Sequence, residues 1–380
     1  MLPILLVFLH ATNDMFGSFL TPLLPRLQTA FNVDYARVSM LIAIYSMSSS
    51  LFQPVAGLIA DRFDKRWLAA LGPLFVAVGV GLVGFYPNIY LFAFVLAFAG
   101  LGSALFHSSA AALVGQYAPE NKKGLWISIF GSGGHLGFSL APAVSVGIAK
   151  NYGLPAIAWV VPLALIPAIL FLKFAPVVKL PGKHSNFQDL IRVFKGEVAK
   201  LWALATLRII VFSSLTTTIP YWFNRRGISD ERMALALTVS SVSGILGTLL
   251  GGILSDKLGR KIILTSSLTA AIPLFALLVT IPPESWLYIP LLSIAGIVSA
   301  ASIPVTVVMA QSYEPKQIAT VSGLLMGFTW GFSGLLYGGV GPMVEKFGIL
   351  VVLRIIGLLL IPALLIALSL KQGPSTKQIS

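Results

Sequence analysis

Long runs without a formal charge constrain this chain most. Met40–Ala60, Trp67–Tyr86 and Ile89–Val114 each lack Asp, Glu, Lys and Arg. An α-helix rises about 1.5 Å per residue, so about 20 apolar residues cross a hydrocarbon core of roughly 30 Å. In water such helices would need cover on every side, and the composition does not supply it. Of 380 residues, 57% are hydrophobic and only 10% are charged, where soluble domains carry about a quarter charged. The chain reads as an all-α integral membrane protein. Its first apolar segment is a full span with no small-residue cleavage site behind it, so it reads as a retained helix and not a signal peptide.

Proline, glycine and charge breaks divide the sequence into twelve expected transmembrane helices, near residues 4–27, 36–60, 67–86, 88–114, 125–149, 154–175, 200–222, 234–255, 262–281, 285–310, 319–342 and 348–370. The domain reading follows: an N-terminal six-helix bundle at 1–175, a basic linker at 176–199, a C-terminal six-helix bundle at 200–370 and a tail at 371–380. With both ends on one side, the loops, linker and tail of that side hold 17 Lys and Arg, the opposite side seven, and Arg208 and Arg354 fall within spans. The bias places both termini and the linker in the cytoplasm of a cell (plasma) membrane protein. It also explains the net charge of +13 without nucleic acid, because the basic residues sit in short loops and not on one domain. The absence of cysteine excludes disulfides and thiolate metal sites.

The two halves repeat. Asp61 in GLIADRFDKR and Asp256 in GILSDKLGRK are 195 positions apart, and Pro119 and Pro315, each after a fourth span, are 196 apart. A constant offset points to duplication of a six-helix unit. Both charged strings fall between a second and a third span. Gly57 and Gly252 would allow close helix approach. Asp61 and Asp256 would meet the positive end of a helix dipole from the other half. Arg62, Lys65, Arg66, Lys257 and Arg260, with Gly259 at the turn, would complete a cytoplasmic latch or meet anionic lipid.

The pattern G-x-L-x-D-x-x-G-R-K between spans, with twelve helices and a central linker, resembles the major facilitator superfamily; GILSDKLGRK matches it fully, and GLIADRFDKR carries Asp64 where that family usually has Gly. HATNDMFGSFLTPLLPRL in span one, GLGSALFHSSA in span four and LRIIVFSSLTTTIPYWFNRRGIS in span seven are similar to the fosmidomycin-resistance branch. That branch usually has Pro-Glu after the span-four His, where this chain has Ser108 and Ser109. The resemblance implies two pseudo-symmetric six-helix bundles, a monomer, and proton-driven export of drugs or small molecules.

Asp14 is the sole acidic residue inside an expected span, about ten residues and roughly 15 Å into the first helix. A charged side chain there costs about 3 kcal/mol or more, so it should face the bundle interior. His10 lies one turn before it, and His135 lies mid-span in GSGGHLGFSLAP. Imidazoles relay protons near neutral pH, so Asp14, His10 and His135 are the candidate proton-coupling groups. Asn13, His107, Arg208, Phe328 and Trp330 are the candidate substrate-binding groups, Arg208 as a permanent cation that could bind an anion or neutralise Asp14. Tyr221 and Trp222, at the end of span seven, suit an interfacial aromatic belt, and Arg354 suits snorkelling to the surface.

The function expected is a proton-coupled exporter of a small molecule working by alternating access, with the proton as coupling ion and no cofactor, metal or catalytic residue. A uniporter or proton symporter of the same fold is the near alternative. A membrane enzyme or receptor is the distant one, and no HExxH, Walker or GxSxG motif supports an enzyme.

Overall fold

The computed structural model describes residues 2–53, 55–56, 63–117, 123–176, 193–314, 321 and 324–371. Among these residues every regular element is a helix. Eight helical stretches are long and apolar enough to cross a membrane: Leu2–Phe31, Ile89–Val114, Leu154–Phe174, Gly196–Arg225, Asp230–Ser255, Arg260–Leu278, Tyr288–Tyr313 and Ile349–Ser369. Each coincides with one of the twelve expected spans. Gly57, Asp61 and Arg62 lie outside the described residues, as do residues 177–192 of the linker and 372–380 of the tail; of Asp256 only the helical backbone is described.

Local chemistry sets the breaks. Span one divides into Leu2–Ser18 and Leu20–Phe31 because Pro22 has no N–H for the carbonyl of Ser18. Asn32 ends it in the left-handed region at φ 51°, its N–H reaching Gln28 and Thr29 carbonyls. Asp34 and Asn88 cap the following helices by accepting from the N–H groups of Arg37 at 2.8 Å and Leu91 at 2.9 Å. Asp64, at the position where a glycine was expected, does a related job. Its carboxylate accepts from the Arg66 N–H at 3.0 Å and holds the Arg66 guanidinium, whose Nη1 also reaches the Ala175 carbonyl at 2.7 Å.

The chain forms two compact units. The first joins Met1–His184 with Thr217–Thr238 and Gly334–Glu345; the second holds Ser185–Thr216, Val239–Ser333 and Lys346–Ser380. The core of the first unit is built by Leu6 and Leu9 of span one, Ala69 and Ala70 of span three, Phe106 and Leu113 of span four, Phe130 of span five and Phe171 of span six. Span five lies flush against span one because it presents glycine there. A Cβ on Gly133 would strike the Val7 backbone, and one on Gly137 the Ala11 and Met15 backbone.

The C-terminal end of span seven, the start of span eight and the C-terminal end of span eleven belong to this first unit. Tyr35 is their hub. Its hydroxyl lies 3.2 Å from that of Tyr337, its ring stacks on Tyr221 at 3.9 Å, and its N–H donates to Glu345 at 2.5 Å. Arg26 pairs with Asp230, and Lys150 with Glu231. Gly341 admits Ser39, and Gly334 admits Ser46, with no room for a Cβ on either glycine. Tyr221 and Trp222 therefore do not form a lipid-facing belt: Trp222 is 4% exposed, and Tyr221 is committed to Tyr35.

In the second unit, Gly247 and Gly251 of span eight meet the carbonyls of Ile297 and Ala301 in span ten, leaving no space for a methyl group. Among the described residues Gly252 has nothing within 4 Å, and the close approach to span ten falls one residue earlier, on the adjacent face of the helix. Gly259 adopts φ 101° just before the Arg260–Leu278 helix, a conformation that favours glycine. Lys261 donates to the Leu368 carbonyl at 2.8 Å and to that of Leu370 at 2.5 Å, satisfying acceptors at the end of the last helix.

Candidate functional site

Asp14 is held by side chains from two helices. His10 Nε2 stands 3.2 Å from one carboxylate oxygen, and His107 Nε2, from span four, stands 3.5 Å from the other. Asn13 donates to Asp14 at 2.9 Å and to Ser103 at 2.9 Å. His10, Asn13 and Asp14 are buried, with Asp14 7% exposed. Span five completes the enclosure: a Cβ on Gly134 would meet Asp14 and approach His10 Nε2 to 2.6 Å. Only glycine leaves room for the carboxylate there.

The far edges of both imidazoles decide what the near edges can carry. His10 Nδ1 lies 2.7 Å from the Phe130 carbonyl, and His107 Nδ1 lies 2.9 Å from the Ser103 carbonyl. A carbonyl oxygen only accepts, so each Nδ1 bears the hydrogen, and in a neutral ring Nε2 then presents a lone pair. Facing a carboxylate, that lone pair is repelled. Each contact becomes attractive when a further proton sits between Nε2 and the carboxyl, on either partner. The cluster is thus a place where a proton bonds two groups that otherwise repel. The phenyl ring of Phe130 stacks on His10 at 4.3 Å between centroids, and Phe106 flanks it at 5.6 Å, which excludes water from the low-dielectric side. The ligand-type atoms of His10, Asp14 and His107 all lie within 4.8 Å of one another, so the same geometry accommodates a small cation.

The other expected site residues fall elsewhere. His107, assigned to substrate, joins the proton-type cluster. His135, assigned to the cluster, stands close enough to feel the charges of Asp14 and His10 but makes no ring hydrogen bond among the described residues; its ring centroid lies 6.4 Å from that of Phe138. Asn13 is fully buried and serves Asp14 and Ser103. Arg208 is 3% exposed, so it does not snorkel, and it does not pair with Asp14. Its Nη1 donates to Ser302 Oγ and, at 3.5 Å, to the Ser299 carbonyl. Phe328 stacks on Trp202 at 5.6 Å and lies 6.3 Å from Phe332, whereas Trp330 is 49% exposed and stands outside that aromatic group. Arg354 is exposed. Of the latch residues with described side chains, Arg66 pairs with Asp64 in its own loop, Lys65 is 9% exposed, and Lys257 and Arg260 lie toward the surface.

Three contributors escaped sequence reasoning: Ser103, Phe130 and Gly134. Ser103 precedes His107 by one helical turn, which is a usable signal. Phe130 holds His10 through its carbonyl, which every residue has, and through its ring, which is one aromatic among many in apolar spans.

Eight membrane-length helices, with a carboxylate–imidazole cluster held among the described residues, define a multi-pass membrane protein. The model of the Major Facilitator Superfamily matches residues 6–338, and the chain belongs to that family. It is 27% identical over 357 residues to the fosmidomycin resistance protein of Escherichia coli, covering 91% of this chain and 87% of that one. It is 25% identical over 354 residues to the multidrug resistance efflux pump PmrA of Streptococcus pneumoniae, covering 86% of each. Among solved structures, a bacterial homolog of the human lysosomal transporter Spinster, inward-facing and unoccupied, superposes with a TM-score of 0.81 at 15% identity over 99% of this chain and 98% of that one. The nucleoside transporter NupG superposes at 0.77 and 17% identity over 97% and 100%. At these identities the two structures establish the fold.

Proposed function

We propose that this protein is a proton-coupled exporter of a small molecule in the plasma membrane, with both termini cytoplasmic, and that Asp14, His10 and His107 form its proton-binding centre. The carrying observation is the pair of imidazoles whose Nδ1 hydrogens are committed to backbone carbonyls while both Nε2 atoms face one buried carboxylate. Protonated, the cluster is mutually attractive and ties span one to span four. Deprotonated, it is a buried charge facing two lone pairs, which costs free energy until water reaches it or the helices part. Proton occupancy and helix packing are therefore coupled at this point, as exchange of a proton for a substrate requires.

Alternating access is the motion this reading invokes. The contacts of Tyr35, Tyr337, Tyr221 and Glu345, with the ion pairs Arg26–Asp230 and Lys150–Glu231, join N-terminal spans to the outer ends of spans seven, eight and eleven. They are the contacts an outward opening would break. The fosmidomycin resistance protein and PmrA support export of a drug-like molecule and make fosmidomycin a rational first probe. In vesicles bearing the purified protein, an imposed pH gradient should drive fosmidomycin or another accepted solute against its own gradient. Flux that ignores the pH gradient would reduce the protein to a uniporter.

A further inference from the structure

Arg208 is a buried cation with no anion beside it among the described residues. The side chain is 3% exposed, so bulk water does not solvate it, and guanidinium stays charged at any working pH. Its partners among the described residues, Ser302 Oγ and the Ser299 carbonyl, are both neutral and both engage Nη1. The Nε and Nη2 edge has no acceptor among the described residues. Asp14 cannot serve, because both its oxygens are occupied by His10, His107 and Asn13. A desolvated charge left without a counter-charge costs several kcal/mol, so the site is incomplete as it stands.

The same helix is rich in donors that lack acceptors. Trp202 Nε1, Thr206 Oγ1 and Ser214 Oγ are buried without a hydrogen-bond partner, although serine and threonine in a helix ordinarily bond back to a carbonyl one turn earlier, as Ser213 and Thr216 do here at 2.7 and 3.0 Å. Buried donors without acceptors are uncommon. Span seven thus carries a cation and several hydrogens awaiting oxygen.

We propose that the Nε and Nη2 edge of Arg208 binds an oxyanion of the transported molecule, a carboxylate or a phosphonate. A carboxylate or phosphonate offers two oxygens at the spacing of that guanidinium edge and receives two parallel hydrogen bonds. Ser302 and the Ser299 carbonyl hold the other edge and fix the plane. This names the substrate class for the transport reading above and rests on it.

The test is calorimetric titration of the purified full-length protein with phenylphosphonate, benzoate and ethidium. Wild type binds at least one of the two oxyanions more tightly than the ethidium cation. Arg208→Gln weakens that binding by about thirtyfold or more. Arg208→Lys keeps the charge but loses the fork, and retains a fraction of the affinity. Ser302→Ala, which leaves the charge in place, weakens it by about threefold to tenfold through lost orientation. If Arg208→Gln does not fold, the lysine and alanine variants carry the comparison. Tighter binding of ethidium than of both anions, or anion affinity unchanged in Arg208→Lys and Ser302→Ala, overturns the proposal. The titration is made at equilibrium with no pH gradient, so loss of oxyanion binding at Arg208 tests the substrate class, whatever pH-driven flux does.

Discussion

His10 Nε2 lies 3.2 Å from Asp14 Oδ2, while the opposite edge of the same ring is fixed to the Phe130 carbonyl at 2.7 Å. That pairing makes a proton, and not a contact surface, the bond between the two residues. The same logic repeats at His107. Because a proton suffices, removal of metal by a chelator should leave pH-driven flux unchanged; a loss restored by added divalent ion would transfer the cluster to metal chemistry.

Gly134 gives the carboxylate its room. Gly134→Ala places a methyl group against Asp14 and His10, and such overpacking typically costs about 1–3 kcal/mol. The expected result is a lower melting temperature and impaired pH-driven flux. Gly131→Ala, where nothing lies within 4 Å, should melt within about 0.5 kcal/mol of wild type.

The outer contacts of the first unit can be read by labelling, because the native chain has no cysteine. Ser39 is fully buried beneath Gly341, so Ser39→Cys should react slowly with an impermeant maleimide. The part-exposed Arg26–Asp230 pair contributes about 0.2–1 kcal/mol, whereas solvent screens the exposed Lys150–Glu231 pair. Removing Arg26 and Lys150 together should therefore raise labelling by roughly 1.5-fold to fivefold, most of it from Arg26. Equal labelling in both backgrounds would mean that those pairs do not hold this end closed.

Adjacent glycines in span eight should behave oppositely. Gly251→Ala drives a methyl group into the Ala301 carbonyl, whereas Gly252→Ala meets open space. Thermal unfolding should show the first variant destabilised by about 1–3 kcal/mol and the second near neutral or slightly stabilised through helix propensity.

Asp64 supplies a pH signature outside the membrane. The Arg66 guanidinium holds its carboxyl below the usual carboxylate range. A lowered native value means that the stabilisation is present above the ordinary carboxylate range and is lost as pH falls through the lowered value. Asp64→Asn keeps a capping oxygen but loses the ion pair with Arg66, so it should cost about 0.2–1 kcal/mol near neutral pH, and the gap to wild type should narrow on acidification.

Much of this was legible in the sequence, for identifiable reasons. Membrane length is a one-dimensional property, and so is the pairing of His10 with Asp14, one helical turn apart. The entry of His107 was not legible, because its neighbourhood with Asp14 depends on how spans one and four pack. His135 was drawn toward the site by its glycine-rich setting, but the carboxylate approaches Gly134, one residue earlier and about 100° round the helix. The contact of Gly251 with span ten was not legible for the same reason: a small residue permits approach, and only the facing helix decides which glycine is used. Trp222 looked interfacial by type, yet the outer end of span seven is covered by protein.

The most direct measurement compares wild type with Asp14→Asn in proteoliposomes, following one transported solute under two conditions. The cluster reading predicts that Asp14→Asn still exchanges labelled for unlabelled solute at equal pH but no longer accumulates it when a pH gradient is imposed. Accumulation by Asp14→Asn at the wild-type rate under that gradient would contradict it.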